Sequence, residues 1–213
     1  DRSPSRGLGD VYKRQQYIET DVRETKDGVF VISHDDTLIR MCGVDKNISD
    51  LTYEEIKQYP IINGPNASSY QNNIIPTLEQ YLQCCNKYSV TPVIEIKVDF
   101  NEATVIKFNQ SIKMSSKNPV VISFYEEPLK ILRQMNKVVD IQLIIRSQIT
   151  DTILDECRRY NFDISAKYKY TDRNIIRRVH SRNIRVALWL FTDLQMADCY
   201  KQWGADYLTC ENF

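Results

Sequence analysis

The sequence predicts an α/β fold, a TIM (β/α)₈ barrel in which one βα unit is missing. Short apolar runs typical of strands alternate with amphipathic stretches typical of helices along most of the chain. Repeated βα units of this kind form parallel sheets with right-handed crossovers. No predicted strand is followed by the glycine pattern G-x-G-x-x-G, which weakens the alternative of a doubly wound, nucleotide-binding sheet.

The elements follow in order along the chain. The predicted strands cover residues 17–22, 29–33, 92–98, 119–124, 141–146, 162–168, 184–191 and 206–209, the first two as a hairpin-like pair. The predicted helices cover residues 77–87, 102–114, 127–135, 150–160, 171–181 and 194–203. Thr77 with Gln80 three residues later forms a capping-box pattern, and Thr171 and Asp193 stand where two later helices should begin.

Two segments depart from this rhythm. Residues 35–75 contain turn residues and a short helix candidate at 50–59, so we expect an insertion after the second strand that contributes to the substrate site. Residues 1–15 lack apolar periodicity, and DVYKRQ resembles the translation of a transposon end used in sequencing libraries. We expect 1–15 to be a non-native leader and 16–213 to be the barrel, with a natural flexible leader as the alternative.

Composition limits the classes of function. The chain has 213 residues with 28 basic and 28 acidic side chains, a balance that argues against nucleic acid or anionic lipid as a broad electrostatic partner. No apolar run is long enough for stable membrane insertion. The six cysteines form no zinc pattern, which favours reduced thiols and a cytoplasmic location. A secreted location stays open because we expect the native N-terminus to be missing.

Charged residues on two strands are the strongest functional signal. Residues two apart in a strand share a face, so Glu19 points the same way as Asp21, and Glu95 the same way as Lys97. Burying three carboxylates without compensation costs several kcal/mol each. A divalent cation bound by oxygen ligands, with Lys97 as a further counter-charge, removes this cost. Ordinary ion pairs at solvated strand ends are the alternative.

Four other residues have candidate roles. His34 directly follows the strand sequence VFVIS, where barrel enzymes place their chemistry, and it suits general acid–base catalysis on a phosphate ester. His180, in a helical stretch, fits a structural role. Ser123, at the end of VVIS, is expected to face inward and line a substrate pocket. Trp189 fits either core packing or stacking against a ligand.

Several segments of the sequence resemble a known family, the glycerophosphodiester phosphodiesterases. The resemblance rests on the segment IETDVRETKDGVFVISHDDTLIRMCG, then PTLEQYL, PVIEIK, VVISF, VALWLF and GADYLT, from about Gln16 to Thr209. Arg40, in DDTLIR, also matches the family pattern. Two features of the family do not occur here: a first strand ending in His-Arg-Gly, and a following Pro-Glu-Asn-Thr segment. The resemblance therefore implies a barrel without its first βα unit and its last helix.

The resemblance implies hydrolysis of small-molecule glycerophosphodiesters to glycerol 3-phosphate and an alcohol. It places Glu19, Asp21 and Glu95 on the ligands of one divalent cation, Ca²⁺ or Mg²⁺, His34 on the general acid and Lys97 near the phosphate. Because the other catalytic histidine is missing, it also implies that this fragment is inactive. A non-catalytic barrel that binds phosphate or glycerol-type ligands, a metal-dependent barrel isomerase and another phospholipase-like phosphodiesterase remain alternatives.

Overall fold

A computed structural model describes residues 16–64, 67 and 73–210. Within these residues the chain divides into two compact units, Tyr17–Pro119 and 120–210. The predicted leader, residues 1–15, lies outside the described residues, so its boundary stays a prediction. No helix in the described part of the chain is long and apolar enough to cross a membrane.

The first unit is a three-stranded sheet with helices and an insertion. Its strands are β1 (Tyr17–Glu24), β2 (Phe30–Ile32) and β3 (Thr91–Ile96), in the order β2-β1-β3. Strand β1 pairs antiparallel with β2 and parallel with β3. The helices are α1 (Ile39–Cys42), α2 (Tyr53–Ile56), α3 (Leu78–Tyr88) and α4 (Glu102–Ile112), with a 3₁₀ turn at Ile48–Asp50. The predicted β1–β2 hairpin and both long helices are therefore confirmed.

Local chemistry explains where these elements begin. The turn between β1 and β2 contains Gly28 at φ +80°, a conformation that costs glycine little because it has no Cβ. Thr77 caps α3 as expected: its side chain accepts from the backbone N–H of Gln80, and the Gln80 side chain accepts from the N–H of Thr77. Gly28 thus permits the turn between β1 and β2, and Thr77 sets the start of α3.

The insertion has a small apolar core of its own, packed against β2. Its buried members are Val31, Leu38, Cys42, Ile48, Leu51, Ile56 and Ile75. The structure differs from the predicted helix at 50–59, because Leu51 and Thr52 are extended and the capping box of Thr52 with Glu55 starts a single turn. Helix α1 was not predicted from the sequence; it is one turn long and ends at Gly43, which adopts a left-handed conformation.

The second unit is a parallel βα array. Its strands are β4 (Val120–Ser123), β5 (Asp140–Ile145), β6 (Asp163–Lys167), β7 (Val186–Phe191) and β8 (Tyr207–Cys210), paired in chain order. The helices are α5 (Glu126–Met135), α6 (Asp151–Tyr160), α7 (Arg173–His180) and α8 (Leu194–Gln202), with a 3₁₀ turn at Tyr168–Tyr170. Every predicted strand and helix of this region is present. Asp172, one residue after the predicted Thr171, caps α7, and Asp193 caps α8.

The two faces of this second sheet differ in chemistry. In register, Leu143 lies beside Ile164, which lies beside Val186, and all three are buried and apolar. The opposite face carries polar side chains near the strand starts, where Arg185 Nη2 lies 2.7 Å from Asp140 Oδ1 and 2.6 Å from Asp163 Oδ2. The apolar face suits packing against helices, and the polar face is the one from which side chains can reach a ligand.

The six cysteines are free thiols. Burial raises the pKa of the Cys157 thiol to about 12, so this sulfur stays protonated and inert at neutral pH.

Candidate functional site

Three carboxylates converge on one face of the first sheet. Asp21 on β1 lies in register with Glu95 on β3, and Glu19 lies two residues before Asp21 on the same face. One carboxylate oxygen from each of the three residues lies within 4.8 Å of the others. The alternate residues Thr20, Val22, Ile94 and Ile96 are buried on the opposite face. The face assignment made from the alternation is therefore confirmed.

Lys97 partly balances the charge of these carboxylates. Its Nζ lies 2.9 Å from Glu95 Oε1 and 3.3 Å from Asp21 Oδ1. Glu95 Oε1 is buried and accepts no well-aligned hydrogen bond, so its contact with Lys97 is an ion pair. Burial raises the pKa of Glu95, although Lys97 acts in the opposite direction. One ammonium group facing three carboxyl groups leaves the cluster short of positive charge.

The environment of Glu19 shows the same shortage. Burial of its carboxyl group and repulsion from Asp21 and Glu95 raise the pKa of Glu19 to about 8. The residue as a whole is exposed, so repulsion between the carboxylates is the cause that the geometry supports best. A bound cation would relieve this repulsion. The donor set consists only of carboxylate oxygens, which suits a hard divalent cation and not a metal that prefers thiolate ligands.

His34 lies two residues after the end of β2, next to Ser33, which is bonded to the backbone of the carboxylate residue Asp21. The backbone N–H of Ser33 donates to the Asp21 carbonyl at 3.0 Å, which anchors the end of β2 beside β1. His34 Nδ1 lies 2.7 Å from Asp35 Oδ1, and Arg40 Nε lies 2.5 Å from Asp35 Oδ2. Hydrogen bonds from Arg40 and His34 lower the pKa of Asp35 to about 2. Because Asp35 accepts from Nδ1, the exposed imidazole presents Nε2 to a ligand.

Sequence reasoning missed two residues that position His34. Arg23 donates to the His34 carbonyl from Nη2 at 2.8 Å and from Nε at 3.3 Å. The sequence carried a signal for Arg23: residues 19, 21 and 23 are spaced two apart in one strand, so Arg23 lies on the same face as Glu19 and Asp21. Asp35 had only its adjacency to His34 as a signal, because its contact depends on the loop conformation.

The remaining predicted residues lie in the second unit. Trp189, on β7, is partly buried, and its ring contacts the ring of Phe124 with centroids 6.5 Å apart. Ser123 is fully buried, and its hydroxyl accepts from the N–H of Tyr125 at 3.0 Å. Its register partner is Leu143, so Ser123 lies on the apolar face and not, as expected, on the inward one. This orientation is a correction; a substrate-binding role for Ser123 stays a prediction.

Comparison with known proteins gives consistent family matches. The model of the glycerophosphoryl diester phosphodiesterase family matches residues 11–212. Glycerophosphodiester phosphodiesterase 1 from Homo sapiens is 29% identical over 125 residues, 57% of this chain and 38% of that protein. The Bacillus subtilis glycerophosphodiester phosphodiesterase is 26% identical over 216 residues, 90% of this chain and 72% of that protein. The chain thus spans well under half the length of the human relative.

Solved structures show the same fold. One is a phosphodiesterase from Oleispira antarctica, solved in complex with the product sn-glycerol-3-phosphate. It superposes with a TM-score of 0.85 at 20% identity, and the match covers 97% of this chain and 85% of that protein's chain. A glycerophosphodiester phosphodiesterase from Parabacteroides distasonis has a TM-score of 0.77 at 22% identity, with coverage of 96% and 84%. The predicted α/β barrel class is confirmed by these likenesses. On its family match, the chain belongs to the glycerophosphoryl diester phosphodiesterase family, a family of hydrolases.

Proposed function

We propose that this chain hydrolyses glycerophosphodiesters to glycerol 3-phosphate and an alcohol, with a divalent cation held by Glu19, Asp21 and Glu95. The observation that carries the proposal is the convergence of three carboxylate oxygens within 4.8 Å, in a chain that belongs to this family. Oxygen ligands of this kind suit Ca²⁺ or Mg²⁺. The product named for the Oleispira antarctica relative is the one expected here.

The carboxylate cluster and Lys97 would act on the phosphate. When bound, a divalent cation supplies positive charge that stabilises the phosphoryl oxygens in the transition state. Lys97 adds a second positive charge beside the same carboxylates. A preorganised charge of this kind costs little reorganisation during the reaction.

His34 would donate a proton to the oxygen of the departing alcohol. Its Nδ1 is committed to Asp35, which in turn is fixed by Arg40. The ring is therefore oriented with Nε2 outward, where a general acid can reach the oxygen of the departing alcohol. Arg23, through the His34 carbonyl, holds the backbone of this residue beside β1.

The second acid–base group is the point on which turnover depends. The sequence contains two histidines, and His180 is paired in the second unit with Asp206, at 2.9 Å between Nε2 and Oδ2. His34 is thus the histidine available for proton transfer at this cluster. Loss of one of two acid–base partners lowers rates by about 10²–10⁴. The inactivity that the resemblance implies for this fragment should therefore be measured as residual hydrolysis, slower by about that factor.

Release of glycerol 3-phosphate from a glycerophosphodiester tests this proposal. We expect slow release above a protein-free blank when Ca²⁺ or Mg²⁺ is present, and none with EDTA. Glu95→Gln should abolish release, and His34→Gln should lower it by a further factor of about 10². Glu54→Gln, at a residue whose side chain is 77% exposed in the insertion, is the matched control and should leave the rate unchanged.

Two outcomes would overturn the proposal. A cyclic phosphate or an isomerised sugar as product would indicate a different reaction at the same cluster. Binding of glycerol 3-phosphate without any turnover of a diester would indicate a non-catalytic binding protein.

A further inference from the structure

Two cations and two aromatic rings meet at the carboxyl edge of the second sheet. Phe124 directly follows β4, Arg146 directly follows β5, Lys167 ends β6 and Trp189 lies on β7. Lys167 is in register with Trp189. Ile145 pairs with Ala166, and Arg146 and Lys167 are the residues that directly follow this pair. We call these four residues the carboxyl-edge cluster.

The four side chains of the carboxyl-edge cluster make three successive contacts. The Arg146 guanidinium carbon lies 3.8 Å from the centroid of the Phe124 ring. The Phe124 ring meets the Trp189 ring at 88°, with centroids 6.5 Å apart, and Lys167 Nζ lies 5.9 Å from the centroid of Trp189. Because Phe124 and Trp189 come from strands that are not neighbours, these contacts require all four side chains to project on one side of the sheet.

The cations of the cluster lack the partners that other cations of this unit have. Arg185 is paired with Asp140 and Asp163, and Lys130 with Glu126 and Glu156. Among the described residues, neither Arg146 nor Lys167 has a carboxylate within ion-pair distance; their contacts are to the aromatic rings. The indole N–H of Trp189 is also buried without an acceptor in the described part of the chain. The cluster therefore offers donors and positive charge without matching acceptors.

We propose that Arg146 and Lys167 bind an anionic group, a phosphate or a carboxylate, of a small organic ligand, and that the rings of Phe124 and Trp189 contact the apolar part of that ligand. An anion supplies the acceptors that the cluster lacks. In barrel folds, residues at the carboxyl ends of the strands form the ligand site. The proposal goes beyond phosphodiester hydrolysis, because each of its contacts comes from residues 120–210 and none from the carboxylate cluster.

Tryptophan fluorescence gives a local test. The chain has two tryptophans, so Trp203→Phe leaves Trp189 as the reporter within the cluster. The probes are phenyl phosphate, benzoate and phenyltrimethylammonium, titrated in EDTA at constant ionic strength. We expect a saturable change in Trp189 emission with at least one of the two anions, and binding of the cation weaker by about tenfold or more. The tighter of the two anions identifies the preferred group.

Charge variants then assign the binding to the cluster. Arg146→Gln and Lys167→Gln should each raise the Kd of the preferred anion by about tenfold. Lys169→Gln, at an exposed lysine two residues further on, is the matched control and should leave the Kd unchanged. Equal binding of anions and the cation, no saturable signal, or an equal effect of Lys169→Gln and Lys167→Gln would overturn the proposal. Since no turnover or metal is involved, these results are independent of the hydrolysis assay.

Discussion

Replacing Lys97 by methionine tests the electrostatic balance of the candidate site. Lys97 Nζ lies 2.9 Å from Glu95 Oε1 and 3.3 Å from Asp21 Oδ1, and the three side chains are between 11% and 17% exposed. At these distances two unit charges attract by about 5–6 kcal/mol when the effective dielectric constant is ~20. The cost of burying the ammonium group offsets part of this gain. We therefore expect Lys97→Met to lower the free energy of unfolding by about 3 kcal/mol.

Urea unfolding at neutral pH, in EDTA and then with a divalent cation, measures this effect. The loss should be smaller with the cation, because the cation replaces the missing positive charge. Lys107→Met is the matched control: Lys107 Nζ lies 3.7 Å from Glu24 Oε1 with a side chain 58% exposed, so its loss should cost less than about 1 kcal/mol. Equal losses in the two variants, or a loss at Lys97 that the cation leaves unchanged, would refute the reasoning.

Three further predictions concern the pH dependence of stability, the cap of α3 and the packing of its buried face. Hydrogen bonds from Arg40 and His34 lower the pKa of Asp35 from 3.8 to about 2. The stabilisation that these bonds give the folded state is therefore fully present above pH 3.8 and is lost as the pH falls through 2. Between pH 3.8 and 2, the urea midpoint of the wild type should fall more steeply than that of Asp35→Asn. Thr77→Ala removes the cap of α3 and should cost about 1 kcal/mol in thermal unfolding, whereas Thr77→Ser should restore most of it. Leu82→Ala, at a fully buried position of α3, should cost about 2–5 kcal/mol, and Leu82→Met less than about 1.5; equal losses would contradict tight packing there.

The sequence predicted the parts of the fold that depend on local periodicity. Strand and helix order followed from the alternation of apolar runs, and the convergence of Glu19, Asp21 and Glu95 followed from the period of two along β1 and β3. The capping box at Thr77 located the start of α3 because capping is a short-range interaction.

Contacts between distant segments and in loops were beyond this reasoning. The bond from Asp35 to His34 depends on a loop conformation, and the contact of Phe124 with Trp189 depends on how β4 and β7 are placed in space. Ser123 shows a different limit: it lies at the end of a short strand, where one residue of register decides which face a side chain takes.

Calorimetric titration of the chain with Ca²⁺ and Mg²⁺ tests the central claim, the divalent-cation site of Glu19, Asp21 and Glu95, most directly. We expect one cation per chain, with binding lost in Asp21→Asn and Glu95→Gln and retained in Glu54→Gln. Unchanged binding in the two carboxylate variants, or no binding of either cation by the wild type, would contradict the account.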